Sequence, residues 1–166
     1  MKIFGVVGWK NSGKTTLIAG LLRELSARGL MVSSVKHAHH AFDLDQPGKD
    51  SFQHREAGAH QVLIASHTRW ALMHELRGTP EPGLSELLTH LAPVDLVLVE
   101  GFKGEPHSKL EVRRADASGP LLADSDPNIV AIAADAPVTA PGRAVFSIDD
   151  IKSIADFIIR HTAAAA

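Results

Sequence analysis

The chain has 166 residues, 17 basic and 19 acidic, a formal net charge of −2, 45% hydrophobic content and no cysteine. That length suits one domain with a sizeable core, and the balanced charge argues against a nucleic-acid partner held by bulk electrostatics. The missing cysteines exclude a disulfide framework and a thiolate metal site, and no apolar run is long enough to cross a membrane.

The N-terminus leads straight into a strand without a signal pattern, so the expectation is a soluble, cytoplasmic protein. Residues 1–162 are expected to form a single domain, and 163–166 a frayed tail. The first element is an apolar, partly β-branched run, Ile3 to Val7, which reads as a buried strand. Gly8-Trp9-Lys10-Asn11-Ser12-Gly13-Lys14-Thr15-Thr16 follows, with the spacing G-x-x-x-x-G-K-[ST] of a phosphate-binding loop. From Thr16 to Ala27 the leucines 17, 21, 22 and 25 share one helical face. Glycines at 8 and 13 let the backbone curl close to a ligand, and successive N–H groups then wrap a phosphate at a helix N-terminus. Lys14 is expected on the β/γ oxygens and the Thr15 hydroxyl on Mg²⁺.

Gly29 suits the end of that helix. Met31 to Val35 reads as a second strand, and residues 36–51 as a long polar surface loop leaving the sheet where open parallel sheets place ligands. Asp50 or Ser51 is expected to cap a short helix through Ala57. Gln61 to Ala65 and Trp70 to Met73 read as two strands joined by a tight turn. Leu84, Leu87, Leu88 and Leu91 predict a helix that Pro93 stops. Leu96 to Val99 suits a central parallel strand buried on both faces, ending at Glu100 and Gly101. Later strands are expected over Lys109 to Val112, Asn128 to Ala133 and Ala144 to Ser147. Asp149 or Asp150 is expected to cap a final helix that buries Ile151, Ile154, Ala155 and Ile158. This alternation predicts an α/β fold: a three-layer sandwich of the P-loop NTPase kind, with a mostly parallel central sheet flanked by helices.

Several side chains carry candidate chemistry. Glu100 stands where phosphate-loop proteins keep an acid that orients Mg²⁺ or its water; the alternative is a solvated acid at a strand end. Lys14 and Glu100 are therefore the candidate catalytic pair, and Thr15 and Glu100 the candidate metal pair. Gly8, Lys10, Asn11, Ser12, Gly13, Lys14, Thr15 and Thr16 are the candidate nucleotide-binding residues. The N-K-x-D pattern that reads guanine is absent, and Asp135 is the best substitute; otherwise it is a turn residue beside Pro137. Trp9 either packs exposed against a partner or base, or anchors under the loop. Lys36, His37, His39, His40, Asp43, Asp45, Lys49 and Asp50 form a loop with ligand-like side chains. It reads as a phosphate- or partner-contacting switch, as a solvated loop, or as a transition-metal site, the last disfavoured because a flexible segment lacks a fixed frame.

The phosphate loop, the Lys36-His37 and His39-His40 stretch running into Pro47-Gly48-Lys49-Asp50-Ser51, and Glu100-Gly101-Phe102-Lys103 together resemble the MobB family of molybdopterin-guanine dinucleotide biosynthesis adaptors. The resemblance covers nearly the whole chain. It implies a GTP-binding homodimer with weak GTPase activity, using Mg²⁺ and working beside a MobA-type guanylyltransferase and molybdopterin. One departure stands out. Many relatives in the broader class carry Lys directly after the first loop glycine, where it reaches across a dimer. Here that residue is Trp9, and the nearby lysine is Lys10. The alternative reading is a small-molecule kinase or ATP-dependent ligase on the same scaffold. It needs a lid with arginines, and the only adjacent pair, Arg113-Arg114, lies at a strand end.

Overall fold

In the computed structural model, which describes residues 1–38 and 42–164, the chain divides into two compact units. The first comprises Met1–His37 and the chain from Leu88 onward; the second is Ala38–Leu87.

The first unit is built on a six-stranded sheet. Its strands are β1 (Lys2–Val7), β2 (Val32–Lys36), β5 (Leu96–Glu100), β6 (Lys109–Arg113), β7 (Ile129–Ala134) and β8 (Ala144–Ser147). They run in the order β2-β5-β1-β6-β7-β8, and every pair is parallel. A parallel pair cannot be closed by a short hairpin, so each strand needs a crossover that covers a sheet face. Two crossing helices are α1 (Lys14–Ala27) and α4 (Ile151–Ala164). The expectation of a mostly parallel sheet flanked by helices is met.

The apolar pattern explains the layering. All five β5 residues are buried, as a strand covered on both faces requires. Phe4 and Val6 of β1, Leu96 and Leu98 of β5 and Leu110 and Val112 of β6 share a core with Leu17, Leu21 and Leu25 of α1 and Ile154, Ala155 and Ile158 of α4. The opposite parity (Val7, Ile132, Ala134) meets a smaller cluster from residues 121–140 that includes a 3-10 turn, Leu122–Asp124. Two charges are fully buried on β6. Lys109 pairs with Asp126 at 2.8 Å, and Glu111 accepts the N–H groups of Leu122 and Ala123, which caps the 3-10 turn. Burial is tolerable for both because each meets a partner.

Helix ends fall where backbone geometry permits. Gly13, in the left-handed region, is the N-cap of α1, so the helix begins at Lys14 rather than Thr16. Its C-terminus closes with Gly29 N–H to Ser26 O and Leu30 N–H to Leu25 O, a Schellman arrangement. Asp150 caps α4 through the Ser153 N–H at 3.1 Å.

The second unit holds α2 (Asp50–Glu56) and an antiparallel hairpin of β3 (Gln61–Ala65) and β4 (Trp70–His74), in register from Gln61↔His74 to Ala65↔Trp70. Lys49, not Asp50 or Ser51, is the N-cap of α2, with no side-chain cap; the Ser51 hydroxyl donates to Asp45 instead. The hairpin exposes large apolar side chains, with Leu63 at 61% and Trp70 at 65% of their full accessibility. α3 (Leu84–Leu88) is shorter than the leucine spacing predicts; Leu91 closes a turn on the Leu88 carbonyl instead of extending the helix.

Leu98 has no exposure and lies between Phe4 and Ser34 in the sheet. Leu98→Ala is expected to cost about 2–5 kcal/mol by the cavity it leaves, measured as a lower midpoint in urea unfolding.

Candidate functional site

Because all six strands are parallel, the ends of β1, β2, β5, β6 and β7 open on one edge. The segment from Gly8 to Gly13 crosses that edge from β1 to α1. Gly8 is required for space as well as conformation: a Cβ there would stand 2.6 Å from both Ser12 Oγ and the Val112 carbonyl. Asn11 at φ 62° and Gly13 at φ 93° alternate with ordinary residues, and such turns direct successive N–H groups into a concavity. Lys10 is exposed on the same loop, Ser12 is buried under it, and Thr16 lies in the first turn of α1.

Lys14 folds back over the loop. Its Nζ donates to the Trp9 carbonyl at 2.7 Å and the Gly8 carbonyl at 3.2 Å. Partial burial lowers its pKa from the ordinary lysine value; Glu100 opposes this, and the charges of Lys103 and Lys36 add to it. The ammonium is thus partly desolvated, which an anion bound beside it would offset.

Glu100 brings two elements together. Its register in the sheet is opposite Val6 on one side and Lys36 on the other. Although only 8% exposed, its Oε1 accepts the Thr15 hydroxyl at 3.0 Å and lies 3.2 Å from Lys36 Nζ. A hydroxyl and a carboxylate at this separation form a hard-oxygen pair of the kind Mg²⁺ takes, with phosphate oxygens and water filling its other positions. Among the described residues, no group of three or more His, Asp or Glu could hold a metal.

Trp9 is neither free nor core. Its Nε1 donates to the Pro120 carbonyl at 2.9 Å, and its ring lies against Gly119. Arg113, the last residue of β6, holds that same loop by donating to the Ala117, Gly119 and Pro120 carbonyls. Lys103 Nζ stands 4.6 Å from the Trp9 ring centroid, a cation–π contact.

Asp135 follows β7 and lines an open cleft of about 450 Å³ with Arg114, Ala115, Pro137 and Val138. Its Oδ1 accepts the Ala115 N–H at 2.7 Å and its Oδ2 pairs with Arg114 at 3.2 Å. A carboxylate has about four acceptor positions, so these two contacts do not exhaust it.

The His37 ring lies 4.7 Å from that of Phe102. His39 and His40 lie outside the described residues. In the second unit, Asp43 receives both terminal nitrogens of Arg55 at 3.1 Å, and Asp45 accepts the Ser51 hydroxyl and lies 3.7 Å from Arg55 Nε. Arg55 and the backbone N–H of Asp45 hold the Asp43 carboxyl below its ordinary pKa, the backbone bond contributing most. Lys49 and Asp50 sit at the start of α2. The sequence offers these acids as ligands and Arg55 as positive charge near the phosphates; Arg55 is instead their partner, twelve residues from Asp43. Lys103 belongs to the Glu100-Gly101-Phe102-Lys103 stretch that carries the resemblance, but the sequence assigned it no role of its own.

The family described as "MobB: Molybdopterin guanine dinucleotide synthesis protein B" matches residues 3–135. The molybdopterin-guanine dinucleotide biosynthesis adapter protein of Escherichia coli K12 is 39% identical over 161 residues, 95% of this chain and 91% of that protein. Its Haemophilus influenzae Rd counterpart is 42% identical over 159 residues, covering 94% and 86%. Among solved structures, a MobB homolog from Bacillus stearothermophilus superposes with a TM-score of 0.73 at 28% identity, over 99% of both chains. Bacillus subtilis MobB does so with a TM-score of 0.76 at 26% identity, over 98% of both.

A Cβ at Gly119 would come within 2.4 Å of Trp9 Cε2. Gly119→Ala is therefore expected to push the indole off its seat, at a cost of about 1–3 kcal/mol. In a Trp70→Phe background, where Trp9 is the remaining indole, its emission should shift to the red; an unchanged spectrum contradicts the packing described.

Proposed function

The chain belongs to the MobB family, and on that premise we propose that it is a GTP-binding adapter of molybdopterin guanine dinucleotide biosynthesis, with Mg²⁺ as the metal and weak GTPase activity at most. Its partners in this reading are a MobA-type guanylyltransferase, molybdopterin and a second copy of the chain, in the cytoplasm. The observation that carries the nucleotide assignment is the Lys14, Thr15 and Glu100 cluster at the open edge of the parallel sheet.

Each residue has a role in this reading. The loop from Gly8 to Gly13, including Lys10, Asn11 and Ser12, wraps the phosphates with backbone N–H groups at the start of α1, beside Thr16. Lys14 exchanges the loop carbonyls for phosphate oxygens. Thr15 and Glu100 would hold Mg²⁺, which would supply positive charge to the bound phosphates. Asp135, in its cleft, suits the N1–H and exocyclic amine of guanine, donors that adenine does not present in that arrangement.

Slow hydrolysis fits the arginines. Arg113 is committed to three loop carbonyls and Arg114 to Asp135, so neither is placed as an arginine finger. The same commitment argues against the kinase reading, which needs arginines in a mobile lid over the transferred group. For the homodimer, support comes from the hairpin of the second unit, where the exposed Leu63, Leu72 and Trp70 share one face of two paired strands.

Lys14→Ala is expected to weaken binding of Mg²⁺ and a GTP analogue about 10–150-fold, the range for losing a charge-assisted hydrogen bond. Circular dichroism should be unchanged, because Lys14 is not core. Unaltered affinity in a folded variant sinks the phosphate-loop assignment.

Unaided turnover of GTP should stay below about 1 s⁻¹, the low end of the kinase range. Steady-state phosphate release from the purified chain measures it, and a faster rate contradicts the adapter reading.

A further inference from the structure

After Glu100 the backbone makes a hook. Gly101 has φ 90° and Phe102 φ 50°, two left-handed residues in succession. Phenylalanine does not adopt that region without cost, and such strain persists only where the surroundings enforce it. Three contacts do so here. The Gly101 N–H donates to the Val6 carbonyl at 3.1 Å, the Phe102 carbonyl accepts the Glu105 N–H at 3.1 Å, and the Phe102 ring lies on His37.

The hook turns Lys103 back toward the phosphate loop. Its Nζ rests over the Trp9 indole while the carbonyl of the same Trp9 accepts Lys14 Nζ at 2.7 Å. Two ammonium groups therefore meet at one loop residue. A third, Lys36, joins them through Glu100 and Thr15. Glu100 acts on Lys14 electrostatically, and its ion pair is with Lys36. Among the described residues, neither Lys14 nor Lys103 has an ion pair. An indole face binds an ammonium less strongly than a phosphate oxygen does, since the latter offers a charge-assisted hydrogen bond.

We propose that Lys103 binds the terminal phosphate of a nucleoside triphosphate held on the phosphate loop, and so sets the preference for triphosphate over diphosphate. The inference rests on the phosphate-loop reading. It follows from the order of the groups along the edge. The loop N–H groups and α1 serve the phosphates nearest the helix. The Thr15 and Glu100 pair would serve the metal between the last two phosphates, and Lys103 rests instead over Trp9 at the start of the loop, close enough for its charge to act on Lys14. Trp9 is the seat that keeps Lys103 within reach, and it occupies the position directly after the first loop glycine. Lys103 thus supplies from within the chain a charge near the loop that Trp9 itself lacks.

The test uses the full chain carrying Trp70→Phe, alone and with Lys103→Met or Lys103→Arg. Calorimetry reads the affinities for GDP and for the β,γ-imido analogue of GTP, both with Mg²⁺. Lys103→Met is expected to lose tenfold or more for the analogue and less than about threefold for GDP, and Lys103→Arg to recover most of the loss. The emission of Trp9 should change when the analogue binds to the Lys103 protein, stay unchanged with GDP, and be unresponsive in Lys103→Met. An equal loss for both nucleotides, or none for either, overturns the proposal while leaving the phosphate loop intact. Failure of the Lys103 protein to bind either nucleotide overturns the phosphate-loop reading and this inference with it.

Discussion

A carboxylate only 8% exposed at the end of a central strand needs compensation, and Glu100 receives it from two directions. Thr15 reaches it from the first turn of α1, and Lys36 from the end of β2. An unpaired charge at that depth would be expelled or neutralised. The loop before α1 and the end of β2 are thereby held against the same atom. The parallel register makes this possible, because Val6, Glu100 and Lys36 lie side by side across three strands. The arrangement at the edge depends on that row.

The two units handle charge differently. In the second, Arg55 is met by Asp43, Asp45 and Glu75, so the acids of the long loop are paired from within, although Asp45 Oδ2 and Arg55 Nε approach without a hydrogen bond. In the first, Lys14, Lys36 and Lys103 gather around the loop, and among the described residues neither Lys14 nor Lys103 has an ion pair. A surface that tolerates unneutralised cations at close range is prepared for an anion. The MobB family assignment gives that anion a biochemical setting in molybdopterin guanine dinucleotide biosynthesis.

The elements that the sequence made legible are those with a local signal. The apolar run of β5, the glycine and lysine spacing of the phosphate loop and the face of α4 each follow from residues within a few positions of one another. What escaped depends on partners distant in the chain or on backbone angles. Trp9 supported two readings because its seat is Gly119 and Pro120, 111 residues on in the case of the hydrogen bond. Lys109 and Glu111 look like the polar side of a half-exposed strand, yet both are buried by Asp126 and by the 3-10 turn. The leucine spacing after Leu84 marks an apolar face but not where the hydrogen bonds of α3 end. Apolar periodicity identifies what is covered; it does not identify what covers it.

The position of β1 also has a temporal consequence. Its neighbours in the sheet are β5 and β6, so Phe4 pairs with Leu98 and Val6 with Leu110. The first strand synthesised can find neither neighbour until the chain has grown by roughly ninety residues, which takes about 5–20 s at ribosomal rates of about 5–20 residues per second. The stretch from Gly8 to Gly13 has no rigid edge to cross before then. Closing such long loops is slow, and an unpaired apolar strand is exposed while it waits. The apparatus encoded first in this chain is thus among the last to acquire its shape.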